Sequence, residues 1–164
     1  MIEKRYKEPQ VRVYSFEEIL AEKGYIVYTN VGCSMMPLLR QRRDIIEIRP
    51  LTRKPVKYDV ILYKRNHTYI HHRVLKVQPD GGYLIAVDNN LFIERDVTDS
   101  MILGRMTRII RDGREILVDN NLLYKLYSHV WVDFFPVKCF LLRVRGKAAR
   151  LYHRLKMKEK NPIK

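Results

Sequence analysis

Thr68-Tyr69-Ile70-His71-His72-Arg73-Val74-Leu75-Lys76-Val77 is followed by Asp80-Gly81-Gly82 and then by Tyr83-Leu84-Ile85-Ala86-Val87. The two flanking stretches are rich in β-branched and aromatic residues and read as strands. Asp80-Gly81-Gly82 between them has the residues of a hairpin turn. On the first strand, alternation sends His71 and His72 to opposite faces. His72 shares its face with Ile70 and Val74, which marks the covered side. His71 shares the other with Tyr69 and Arg73.

Working outward, the same signature recurs at Tyr25–Tyr28, Asp44–Ile48, Asp59–Tyr63, Ile102–Ile110 and Glu115–Val118, with Asp112-Gly113 as a further turn. Strands this short and regularly spaced predict coiled, mostly antiparallel β-sheets. Ser15-Phe-Glu-Glu18 is a capping box, Phe16, Ile19 and Leu20 form a stripe, and Gly24 suits a helix C-terminus. After Asp119-Asn-Asn121 the period becomes helical, with Leu122, Leu123, Leu126, Val130, Trp131 and Phe134 on it, and Pro136 breaks or restarts the helix. The expected fold class is therefore mainly β (α+β), with one short N-terminal helix and basic amphipathic helices at the C-terminus. Its expected parts are an irregular start over 1–14, a β domain over 15–118 and a basic helical appendage over 119–164.

At 164 residues there is room for one core, and the net charge is +14. Such a surface attracts nucleic acid, anionic lipid or an acidic partner without naming a chemistry. Cys33 and Cys139 have no CxxC or Cys/His cluster near them, which argues against a disulfide framework or a zinc site. No cofactor or metal is implied. The charged opening Met1–Arg12 does not read as a signal peptide, and no apolar run approaches the roughly 18 residues of a membrane span. A cytoplasmic protein, or a peripheral one on the cytoplasmic membrane face, is expected.

Gly32-Cys33-Ser34-Met35-Met36-Pro37 brings a serine to the end of a strand, at the mouth of a turn stiffened by proline. There the Ser34 oxygen can be presented while its own N–H helps hold an oxyanion. Serine needs a base to become a nucleophile. His72 is the candidate, since imidazole is matched to proton transfer near neutral pH. A base needs an orienting acid, and Asp88 of Asp88-Asn89-Asn90 and Glu94 both follow. Gly32, Met35, Met36 and Pro37 surround the serine as candidate substrate-binding residues, with core filling an alternative for the methionines. Arg73 reads as a salt-bridging structural residue, Glu94 slightly more as a surface acid than a site residue, and Cys33 as packing.

Gly32-x-Ser34-Met35-x-Pro37, Arg43-Asp44, Tyr58-Asp59, His72-Arg73-Val74, Asp88-Asn89-Asn90 and Gly104, in that order, resemble the signal peptidase superfamily, which includes the self-cleaving SOS repressors. The likeness runs from about Gly24 to Ile116. Histidine stands where most bacterial members carry lysine, which resembles the serine–histidine branch of the endoplasmic reticulum and archaea. Val87 departs from the family's glycine. The resemblance implies a coiled-sheet fold, a serine endopeptidase with Ser34 as nucleophile and His72 as base, Asp88 or Glu94 completing the site, and a peptide substrate bound as an extended strand.

Two other functions compete. A self-cleaving regulator would need a cleavage site ahead of the serine, and only about thirty residues precede Ser34, with no Ala-Gly pair. A non-enzymatic basic module would use the C-terminal charge on lipid or nucleic acid; no RNA-binding signature or recognition helix favours nucleic acid. Trp131, Phe134, Phe135, Phe140, Leu141 and Leu142 beside that charge suit an anionic membrane surface, or else they pack on the β domain.

Overall fold

The computed structural model describes residues 13–160. Most of the expected irregular start, and the charged opening with it, lies outside them. Helix α1 spans Phe16–Lys23; Ser15 and Glu18 form both halves of its capping box, and Gly24 ends it with φ 73°. Eight strands follow: β1 Ile26–Thr29, β2 Ile45–Arg49, β3 Val60–Arg65, β4 Thr68–Val77, β5 Tyr83–Ala86, β6 Ile93–Val97, β7 Ile102–Arg111 and β8 Arg114–Leu117. A 3₁₀ turn, Asp99–Met101, leads into β7. Helices α2, Leu122–Asp133, and α3, Phe135–Lys160, complete the chain.

The strands form one antiparallel sheet in the order β1-β2-β7-β3-β4-β5-β6, with β8 on β7. The mainly β reading with flanking helices is therefore correct. β3 lies between β7 and β4 and is buried on both faces, which is why Val60-Ile61-Leu62-Tyr63 is apolar throughout rather than alternating. Val60 and Leu62 join a core with Ile46, Ile48, Met106 and Tyr124; Ile61 and Tyr63 join another with Val74, Tyr83, Ile85 and Val97.

Three expectations change. First, β6 carries Glu94-Arg95-Asp96 and was not anticipated as a strand. It is the sheet edge, where Arg95 and Asp96 point to solvent while Glu94 and Val97 turn inward. Second, both faces of β4 are covered: Arg73 is wholly buried and His71 lies against Tyr28 and Asn30. Third, the helical segment after residue 118 is joined to the sheet at its start. Asn121 caps α2, and Val118 and Tyr124 belong to the first core.

Gly104 on β7 marks a close approach of two strands. A Cβ there would run into the Arg49 carbonyl oxygen and the Ile48 side chain. Gly104→Ala is expected to lower stability by about 2 kcal/mol or more, because backbone must move to admit it. Urea unfolding of the variant beside the wild type measures this.

Candidate functional site

The loop that carries Ser34 follows β1. Gly32 adopts φ 100°, a conformation that favours glycine. Met35, Leu38 and Leu39 anchor the loop in the first core. Met35 is completely buried, so it supports the loop from beneath rather than lining a groove, which corrects its place among the candidate substrate contacts. Cys33, Met36 and Pro37 are exposed and Ser34 is half-buried. The far end is tied down at Asp44, which Arg40 and Arg111 grip from two sides.

The Asp88-Asn89-Asn90 turn meets this loop directly: the Asn89 N–H donates to the Ser34 carbonyl oxygen at 2.8 Å. The ladder of β5 on β4 begins only at Arg73, and β5 ends at Ala86, its partner there. The chain leaving β5 thus carries Asp88 and Asn89 past the part of β4 that holds His72. Val87 is buried in this exit.

The two acids have separate partners. Asp88 is taken by Arg73, with Nε 3.0 Å from Oδ1 and Nη2 2.8 Å from Oδ2. Tyr127 donates to the same carboxylate, and the Trp131 indole donates to the Asp88 carbonyl oxygen. Burial pulls the Arg73 guanidinium down, but Asp88, with Tyr124 and Tyr127 beside it, more than offsets this and the net shift is upward, so the guanidinium stays charged. Asp88 therefore holds the arginine, not the imidazole, contrary to its assignment as a possible partner of His72. Alternation along β4 is the reason: Asp88 lies on the Arg73 face.

His72 faces the other way, with its Nδ1 3.3 Å from Glu94 Oε1 and 3.3 Å from the Tyr63 hydroxyl. Tyr63 donates to the same Glu94 oxygen at 2.5 Å, and Arg65 stands 2.9 Å from Oε2. Glu94 is buried, so the preference for a plain surface acid is overturned. The tautomer follows from these neighbours. Burial and the Glu94 carboxylate push the Tyr63 phenol up, so it stays protonated and its hydrogen is committed to Glu94. Nδ1 then carries the imidazole proton, and Nε2 is left as the basic nitrogen. Burial pulls the His72 pKa below the ordinary 6.5, against the hydrogen bond it donates to Glu94, which raises it. The ring is neutral at pH 7.

His71 is a poorer base. Its Nε2 lies 2.9 Å from Asn30 Oδ1 and its Nδ1 3.3 Å from the Tyr28 hydroxyl, and burial pulls it down to about 4. Both ring nitrogens are engaged. Among the described residues the Ser34 hydroxyl has no hydrogen bond, to either histidine or elsewhere; nor does His72 Nε2.

Tyr63 and Arg65 were not singled out by sequence. The two-residue turn Asn66-His67, with φ 45° and 65°, pairs Arg65 with Thr68 and hence Ile61 with His72. That register makes Tyr63 the diagonal neighbour of His72 on one face. Asn66 between two strand-like runs was the available signal.

No family model and no curated protein matches the chain. Among the described residues no His, Cys, Asp or Glu cluster suits a metal ion.

Asp88→Asn would leave Arg73 buried without its counter-charge, and is expected to lower unfolding free energy by about 3 kcal/mol or more. Glu94→Gln should cost less, because the Arg65 it faces is partly exposed. Equilibrium denaturation of the two variants in parallel separates the structural acid from the one that orients the imidazole.

Proposed function

We propose that the chain is a serine endopeptidase of the signal peptidase type, forming a Ser34 acyl-enzyme. The observation that carries this reading is the buried Glu94 at Nδ1 of His72, which leaves Nε2 basic and, among the described residues, without a hydrogen bond. A fully satisfied histidine with no chemistry to do would have both nitrogens engaged, as His71 does. The Asn89–Ser34 backbone bond and the order of the sequence motifs add support.

Ser34 Oγ attacks the peptide carbonyl carbon while His72 Nε2 takes its proton. Glu94 stabilises the imidazolium that forms, with Tyr63 and Arg65 holding Glu94. The Ser34 N–H contributes to the hole that receives the oxyanion. The imidazolium then protonates the leaving amine, and water, deprotonated by the same nitrogen, releases the acyl group. In an unliganded site the serine–histidine hydrogen bond often forms only with substrate present. The stretch of β4 before Arg73 has no ladder to β5 and offers an edge beside His72 to an extended peptide.

p-Nitrophenyl acetate tests the nucleophile. The wild type is expected to gain one acetyl group mapping to Ser34; Ser34→Ala and His72→Ala should each cut that labelling at least a hundredfold with circular dichroism unchanged. Labelling at Ser34 that survives His72→Ala would sink the assigned base.

The pH profile has a defined sign. Only the neutral imidazole accepts the proton, and His72 is held below 6.5. Acylation should therefore hold its rate down to pH 6.5 and fall on an acid limb below it. Glu94→Gln removes the group that raises the His72 pKa, so its acid limb should move lower still, together with a slower plateau. Rates of nitrophenol release across pH report both.

A further inference from the structure

The α2–α3 segment is amphipathic, and only one of its faces is used by the fold. Tyr124, Ser128, Val132 and Lys138 are buried against the sheet and the Asp88 turn. The Lys138 ammonium donates to the Val87 carbonyl oxygen at 3.0 Å and lies over the rings of Trp131 and Phe135. The other face presents Val130, Phe134, Val137, Leu141 and Val144 to solvent, at alternating steps of four and three residues; Phe134 is 60% exposed and Leu141 59%. Phe140, beside this stripe, is 64% exposed. A continuous apolar strip of this kind is not left to water without a purpose.

Charge decides what covers it. Between Asp133 and Glu159 the sequence has no acidic residue, while Arg143, Arg145, Lys147 and Arg150 lie exposed on α3. A helix from a second copy of this chain would bring the same unrelieved positive flanks against its own. An anionic lipid surface supplies the complement to both features, an apolar layer below and negative headgroups alongside. Among the described residues no helix is long and apolar enough to cross a membrane, so the contact is a helix lying in the interface.

We propose that the exposed face of α2–α3 docks on an anionic lipid bilayer. The docked face adjoins the candidate site. Leu142, Arg145 and Gly146 line one cleft with Asn89, Asn90 and Leu91, and Asn89 holds the Ser34 loop. Leu91 and Phe92 are themselves exposed and extend the apolar surface from α3 toward that loop. Docking therefore sets the Ser34 loop close to the headgroups. This inference stands on the helix surface and does not depend on the peptidase reading.

The full chain is tested by co-sedimentation with vesicles of phosphatidylcholine plus phosphatidylglycerol, and with vesicles of phosphatidylcholine alone. A preference for the anionic vesicles on the order of tenfold or more is expected. It should be lost in Val137→Glu/Leu141→Glu and weakened about tenfold in Arg143→Glu/Arg145→Glu. All four positions are solvent-exposed, so the fold should persist, with circular dichroism as the check. Any of three results overturns the proposal: no vesicle binding at low salt; vesicle binding indifferent to Val137→Glu/Leu141→Glu; or a dimer in sedimentation velocity that this double variant dissociates, which would assign the face to a second copy. Binding of a single-stranded oligonucleotide that exceeds vesicle binding and survives the apolar substitutions would assign the charge to nucleic acid instead.

Discussion

The Arg73–Asp88 ion pair is buried on both sides, and four parts of the chain are organised around it. The guanidinium also donates to the Tyr58 carbonyl oxygen and the Ser128 hydroxyl, drawing in the loop before β3 and helix α2. Tyr127 and Trp131 of α2 bond the carboxylate and carbonyl of Asp88, and Lys138 of α3 bonds Val87. A charge taken wholly out of water must have its partner and its remaining donors satisfied. That requirement fixes where the turn after β5 lies, and the turn in turn fixes the Ser34 loop through Asn89.

His72 is oriented by the same constraint. Arg73 is committed to one face of β4, so its neighbour faces the other, where β3 and β6 supply Tyr63 and Glu94. The register of β5 with β6 sets Glu94 opposite Ile85, inside the second core. An acid in that position is desolvated, and its hydrogen bonds to Tyr63 and His72 strengthen each other in a medium of low dielectric. Two adjacent histidines thus acquire different chemistry from a single backbone alternation: His71 is closed off by Tyr28 and Asn30, and His72 is left with one nitrogen open.

The C-terminal helices divide their surface between two solvents. One face completes the core over Arg73, and the other keeps a strip of large apolar side chains exposed among arginines and lysines. Trp131 and Lys138 stand at the boundary, bonded to the turn that touches the Ser34 loop. Helix surface and candidate site are therefore mechanically continuous, although they face different partners.

Local signals were enough for much of the fold. Thr68–Val77 is a strand over the range its alternation predicts, Ser15 and Glu18 form their capping box, Asn121 caps α2, and Asp112-Gly113 makes its turn, because each depends on residues a few positions apart. The motif order singled out Ser34, His72, Asp88 and Glu94. Which acid serves which partner was not legible, since it turns on strand register and face, quantities set by pairing between distant segments. For the same reason β6 was hidden: its charged pattern makes sense only at a sheet edge with one face covered. Sequence alone determined the elements other than β6, and the candidate groups Ser34, His72, Asp88 and Glu94. The tertiary structure alone decided that Asp88 neutralises a buried arginine and that Glu94 faces the histidine, because burial and partner choice arise only when the strands stand side by side.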